Sequence, residues 1–333
     1  MIALTARLDG QKLPDSSVIW SAQPADAIAF ESGGRARIRS TDPVIVTART
    51  EVGSASVKLE PNAPPTIVFD MAVSGNRDIY LVALDGQDLV RLTNHPGEDL
   101  KPTAAKGRVV FVSYRDGNGE LYSVSLDGRT EVRITDTRAN EGDPALSPDG
   151  MRLAYTRTDG GVPKLYTAGP NGENARRLSI GFGYPGSVEA SPTWAPGSMQ
   201  LAFVSTSLGS ADLFTLDVAE LQFSLLLPDS GSSAEVEPAW SRDGNRVAFA
   251  SNRTPGGDTE IYVIELPRKR LLRLTMRPGI DAQPAWLSDG RLVYTAWIGG
   301  QPQLRWLDPA RPDEVHTIHT LPGRPQHPSG IWN

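Results

Sequence analysis

A proline recurs about every 45 residues through most of this chain, and that spacing limits the folds open to it more than any other feature. It stands at Pro102 (KPTAA), Pro144 (DPALSPDG), Pro192 (SPTWAPG), Pro238 (EPAWSRDG), Pro284 (QPAWLSDG) and Pro328 (HPSGIW), at separations of 42, 48, 46, 46 and 44 residues. Each proline lies in a short β-rich run. A second run follows at 109–112, 153–156, 201–204, 247–250 and 292–295, and a third at 121–124, 165–167, 212–216, 260–264 and 303–307. A fourth closes the unit at 132–135, 175–179, 223–227, 271–275 and 315–320. Asp127-Gly128 and Asn171-Gly172 supply the positive φ angles of tight hairpins between third and fourth runs. A period of about 40–50 residues made of four short strands is the signature of a propeller blade.

The two ends of the repeat region complete one another. Residues 328–332 match only a first strand, whereas residues 66–93 (TIVFD, DIYLVAL, DLVRLT) match only strands two to four. Joined, they make a sixth blade, and closure removes two open sheet edges. The expected architecture is all-β: a small β-sandwich at 1–60, a Pro-rich linker at 61–65, and a six-bladed β-propeller at 66–333 closed by N- and C-terminal strands.

PAWSRDGNRVAFAS…EIYVIEL…LRLT and DPALSPDGMRLAYTR…KLYTAGPNG…RRLS resemble the WD40-like repeats of TolB-like six-bladed propellers. The same repeats are similar to the propeller caps of prolyl oligopeptidase relatives. The resemblance covers roughly residues 66–333. It is specific for fold and leaves function open.

Residues 1–60 differ in kind. IALTARL, SSVIWSA, AIAFES, RARIRS, VIVTART and SASVKLE read as six short strands. Val44, Val46 and Ala48 would share one face, as would Ala55, Val57 and Leu59. Trp20 is the natural core plug of a small sandwich. This stretch resembles a bacterial Ig-like domain of group 2, with two departures: Pro43 stands where such domains often carry glycine, and the first strand of the pattern is missing. A missing strand implies an open edge if Met1 is the native start, or an upstream strand and export signal if it is not. No basic region followed by an apolar run marks a signal peptide. Both resemblances imply a periplasmic or cell-surface protein; a native start at Met1 would instead imply the cytoplasm.

Composition narrows the chemistry. No cysteine is present among 333 residues, so thiolate chemistry and a disulfide frame are excluded. No apolar run approaches the ~18 residues a spanning helix needs. The net charge of −6 argues against a nucleic-acid footprint. There is no Gly-x-Ser-x-Gly elbow and no Walker A loop. The letters Gly181–Gly186 fit a dinucleotide fingerprint but lie in a loop with an internal proline and no following helix. Asp116-Gly-Asn118-Gly-Glu120 mimics the start of a calcium loop without the glycine at its sixth position, in a hairpin where Asp and Gly are ordinary turn formers. His316 and His319 point to opposite faces of a strand, and His95 and His327 join no ligand set. No metal and no cofactor is called for.

One constellation stands out. An acid lies three residues before the marker proline in five blades: Asp99, Glu141, Glu189, Glu235 and Asp281. Each enters an innermost strand from the same end. A carboxylate ring at one channel mouth would attract a basic segment or a cation; a repeated residue can equally bond backbone amides of the neighbouring blade. Trp194, Trp240 and Trp286 stand two positions after the proline and Trp332 ends the sixth first strand, all expected to pack between blades. Trp297 and Trp306 fall outside that register, with Arg305 in place of the usual third-strand aromatic, and form either a repacked blade or an interface patch. The resemblance implies a non-catalytic scaffold subunit of an envelope or membrane-associated assembly. Its partners would be other proteins, including the extramembrane face of a membrane complex. The alternative is a lactonase-like or sugar-binding propeller using an acidic mouth; adhesion through the Ig-like domain is a weaker third reading.

Overall fold

The computed structural model describes residues 65–332, except 180–183, 185, 228–232, 255 and 267, and residues 2–3, 7–8, 11–12, 18–23, 28–31, 35–38, 44–50 and 53–59 before them. Two compact units result, Met1–Pro64 and Pro65–Asn333. Linker residues 61–64 lie outside the described residues.

In the first unit, Val44–Thr50 is flanked antiparallel by Ile19–Gln23 and Gly53–Leu59. Trp20 faces Ala48 and Ala22 faces Val46. Alternation separates the two sides: Val18, Ala22 and Val46 are buried, Ile19 and Ile45 exposed. Ile28–Glu31, Arg35–Ile38 and Ile2–Ala3 form a second sheet.

The second unit is a six-bladed propeller of four-stranded antiparallel meanders. Its innermost strands are Asp99–Ala105, Glu141–Leu146, Glu189–Trp194, Glu235–Trp240, Ile280–Trp286 and Arg324–Trp332. The last completes the closing blade by pairing antiparallel with Thr66–Val73, which leads to Asn76–Ala83 and Val90–Arg91. The strand also reaches sideways. Ile331 and Trp332 pair parallel with Ala104 and Ala105, and the Lys106 N–H donates to the Trp332 carbonyl at 2.7 Å. The closing blade and the first blade thus share one continuous eight-stranded sheet.

Five of the six blades are filled by a cross-strand aromatic pair: Phe69–Tyr80, Phe111–Tyr122, Tyr155–Tyr166, Phe203–Phe214 and Phe249–Tyr262, with centroids 5.8–6.2 Å apart. In the fifth blade Arg305 stands opposite Tyr294 instead. Tryptophans seal the seams between blades. The Trp194 indole donates to the Ala145 carbonyl at 2.9 Å, and Trp286 to that of Ala239 at 3.0 Å, each reaching back one blade. In the closing blade the position two after the proline is Gly330, and the half-buried Trp332 lies two residues further on with Arg242 over its ring.

Two outermost strands are shorter than their sequence patterns, Glu131–Arg133 rather than 132–135 and Arg270–Arg273 rather than 271–275, whereas that of the fifth blade is Arg311–Thr317 rather than 315–320. A threonine ends the ladder. The hydroxyls of Thr93, Thr135 and Thr275 accept the N–H groups of Ile79, Leu121 and Ile261 at 2.8–3.0 Å, replacing the next carbonyl.

Candidate functional site

The marker prolines build the channel. Proline has no N–H to give a ladder, so a strand that contains one must skip a pairing. All six innermost strands do so, with register shifts at Leu100/Thr103, Gly142/Ala145, Ala190/Thr193, Val236/Ala239, Ala282/Ala285 and Gln326/Ser329. The residue before each proline adopts a left-handed φ between 45° and 56°: Lys101, Asp143, Ser191, Glu237, Gln283 and His327. None is glycine, so the conformation costs energy at each bulge and persists because the surrounding sheet fixes it. These six residues and the prolines line a cavity of about 150 Å³ at one end of the channel. Beyond the proline waist, the lining passes to the first-strand residues that follow, among them Trp194, Trp240 and Trp286.

Most neighbours around this mouth are tied to one another. Asp143 accepts the Ser191 N–H at 3.3 Å, Glu237 the Gln283 N–H at 2.7 Å, and Gln283 Oε1 the His327 N–H at 2.9 Å. Asp70 joins the two runs of bonds between His327 and Lys101. It is fully buried on the second strand of the closing blade, where it accepts the Lys101 N–H at 3.0 Å, meets His327 Nδ1 at 2.6 Å and pairs with Arg77. Lys101 Nζ lies 2.5 Å from Asp143 Oδ1. The carboxylate beside it raises the Lys101 ammonium above its ordinary range against the opposing pull of burial, and holds Asp143 below the ordinary carboxylate range. Burial pushes the Glu237 carboxyl up, and its strongest compensation is the single Gln283 amide. The mouth therefore offers one neutralised ion pair, one carboxylate held by a backbone amide, one imidazole backed by a buried carboxylate, an amide and a hydroxyl.

The five acids expected at a channel mouth lie elsewhere. Asp99, Glu141, Glu189, Glu235 and Asp281 are all buried, at 0–8% exposure, and none lines the mouth cavity. They sit in the seams between blades. Both oxygens of Asp99 lie 3.1 Å from Arg115. Glu235 pairs with Arg253 at 2.9 Å, and Glu189 with Lys164 of the preceding blade at 3.2 Å. Glu189 also accepts the Leu165 N–H of that blade at 2.8 Å, which is the inter-blade amide bond anticipated for a repeat-defining acid. Burial raises Glu141 to about 7 and Asp281 to about 6, with Glu120 and Glu260 respectively adding to the rise. The left-handed residue before the proline turns the backbone so that it, and not the acid two residues earlier, faces the axis.

Trp306 is half-buried on the third strand of the fifth blade, stacked on His316 at 4.0 Å and 14°, with Arg291 4.5 Å from its ring. Trp297 packs against the core between the fourth and fifth blades, and Arg305 lies near Asp281. The three residues are thus not one patch: Trp306 belongs to an outer-edge stack with Arg291 and His316, lining a cavity of about 290 Å³. The calcium-like hairpin is closed by its own bonds, the Asn118 amide donating to Glu120 at 3.0 Å and to the Ala139 carbonyl at 2.6 Å. Gly181–Gly183 and Pro185 fall outside the described residues. Among the described residues no three His, Asp or Glu side chains gather as a metal site, and no helix is long and apolar enough to cross a membrane.

Comparison with known proteins agrees with this architecture. Residues 190–313 match the TolB beta propeller domain family. A protein TolB homolog of Chlorobium luteolum is 26% identical over 154 residues, which are 46% of this chain and 34% of that protein. The matched stretch therefore spans about a third of that relative. The crystal structure of TolB from Acinetobacter baumannii superposes with a TM-score of 0.70 at 15% identity, over 94% of this chain and 82% of that one. A puromycin-hydrolyzing peptidase of Mycobacterium tuberculosis superposes with a TM-score of 0.54 at 14% identity, over 95% and 53%. At these identities the superpositions speak for the fold alone. Residues 190–313 are a match to the TolB β-propeller domain, and they lie within a six-bladed propeller of TolB-like fold.

Proposed function

We propose that this protein is a non-catalytic interaction subunit of an envelope or membrane-associated assembly, and that its propeller holds a protein partner at the channel mouth ringed by Lys101, Asp143, Ser191, Glu237, Gln283 and His327. The observation that carries the reading is the ring itself. Six bulges spend backbone strain to aim side chains of six different types at one opening, and strain of this kind gathers where a ligand is gripped. A mixed set of donors and acceptors suits the irregular polar groups of a polypeptide. The five seam acids serve the same function indirectly, by holding the blades that carry the ring. The TolB resemblance supports the reading, since TolB-like propellers work by binding other envelope proteins, and it implies the periplasm or cell surface. The first unit, an Ig-like sandwich by its sequence, is a second docking module in this account.

Gentle affinity purification from native cells, with mass spectrometry of what is retained, tests the proposal. A stoichiometric protein partner is expected, and Ser191→Arg, which fills the mouth, should weaken its binding at least about tenfold (~1.4 kcal/mol) without lowering the melting temperature. Recovery of the chain alone with a small ligand, or a partner indifferent to Ser191→Arg, would overturn it.

A further inference from the structure

Five of the six seams repeat one arrangement, and in one of them two carboxyl groups are left in a state that points to a bound proton. At these five the first buried residue of one blade's third strand precedes the acid of the next blade's innermost strand, and four of the five sets are acid with acid: Asp78 and Asp99, Glu120 and Glu141, Asp212 and Glu235, Glu260 and Asp281. Between the second and third blades this is Lys164 with Glu189, an ordinary ion pair at 3.2 Å. Between the first and second blades it is Glu120 with Glu141, two carboxyl groups at 0% and 1% exposure that meet at Thr137. Their inner oxygens tell the rest. Glu120 Oε1 accepts from Asn118 and from the Thr137 N–H at 2.8 Å, and Glu141 Oε1 from the Thr137 hydroxyl at 2.8 Å, but Oε2 of each is buried with no donor. Two buried carboxylates side by side repel, and two orphaned buried acceptors are costly; one proton on either Oε2 relieves both costs.

We propose that Glu120 and Glu141 share one proton that closes the seam between the first and second blades, and that loss of this proton loosens the ring at that seam.

The charged neighbours do not remove the need for it. Arg133 lies 3.4 Å from Glu120 but is shared with Asp116 and Asp136, and Arg157 reaches Glu141 only at 3.7 Å. Tyr122, the remaining titratable group, is bound to Asp116 and pushed up to about 12. The direction of the linkage follows from the shifts. Glu141 stands at about 7 when the seam is closed, above its ordinary value, while Glu120 is held below its own. Between these values the closed seam carries one proton and an opened, hydrated seam carries fewer. Rising pH therefore favours opening until the closed pair also loses its proton.

Hydrogen exchange read by mass spectrometry, corrected for the intrinsic pH dependence of exchange, tests this on the full chain. Opening at 120–125 and 141–146 should increase about tenfold per pH unit from about pH 5 to about pH 6.5, then level off. The seam at 162–168 and 189–194, held by Lys164–Glu189, should stay flat. Glu141→Gln keeps a donor and removes the titration, so its exchange should lose the pH dependence. Infrared difference spectra of the unaltered protein give a second readout: a buried protonated carboxyl band at pH 6 that disappears in Glu141→Gln. No such band in the unaltered protein, or a pH dependence that survives in Glu141→Gln, overturns the proposal.

Discussion

At the level of single residues, the closing strand depends on a side chain being absent. A Cβ on Gly330 would meet the Trp286 carbonyl oxygen at 2.1 Å, and that oxygen belongs to a neighbouring backbone that cannot swing aside. Gly330→Ala should therefore cost about 1–3 kcal/mol by overpacking, measured by chemical denaturation; a change below about 0.5 kcal/mol would mean that the strand shifts freely. The prolines were readable at this scale because one residue type marks every blade. The ring they create was not, because Lys, Asp, Ser, Glu, Gln and His share no chemistry by which to be recognised as equivalent. Regular alternation would put the residues three and one before the proline on a common face. The left-handed turn at the second of them breaks that parity, so the acids with the visible pattern went to the seams and the irregular residues to the axis. A proline inside a buried strand was the available signal, since it requires a bulge.

At the level of strands and seams, the hydrophobic register was legible and the strand ends were not. Alternating aromatic and aliphatic runs fixed the second and third strands, whose partners are backbone and core. Three of the fourth strands end where a threonine hydroxyl replaces a carbonyl as acceptor, a substitution that period-two patterning does not register. Trp240 is 5% exposed and packs with Val247, Phe249 and Tyr262 of its own blade and with Ala202 and Val204 of the one before. Truncation to Ala should cost about 3–5 kcal/mol in a denaturation midpoint analysis, and a loss below about 1 kcal/mol would remove it from the core. Its indole N–H is buried without a partner, unlike those of Trp194 and Trp286. Trp240→Phe should accordingly be better tolerated than Trp286→Phe.

At the level of the whole molecule, six blades followed from counting incomplete units at either end of the repeat, and the structure joins them as expected. The parallel bridge to the first blade was beyond sequence reasoning, because it depends on how far the last strand extends past its own blade. Removing 326–333 breaks the antiparallel closure and this bridge together, so the melting temperature should drop sharply and the transition should broaden. An unchanged melt would refute closure by this strand. The shared eight-stranded sheet has a consequence during synthesis. Of the propeller's strands those at 66–91 leave the ribosome first and yet receive their innermost neighbour last, while the first blade also waits for its side contact. Until Arg324–Trp332 emerges, two sheet edges stay unpaired and available to other chains. The nascent protein thus passes through a growing open arc, and its exposure to misassembly is set by how fast the final strand arrives rather than by the stability of the finished ring.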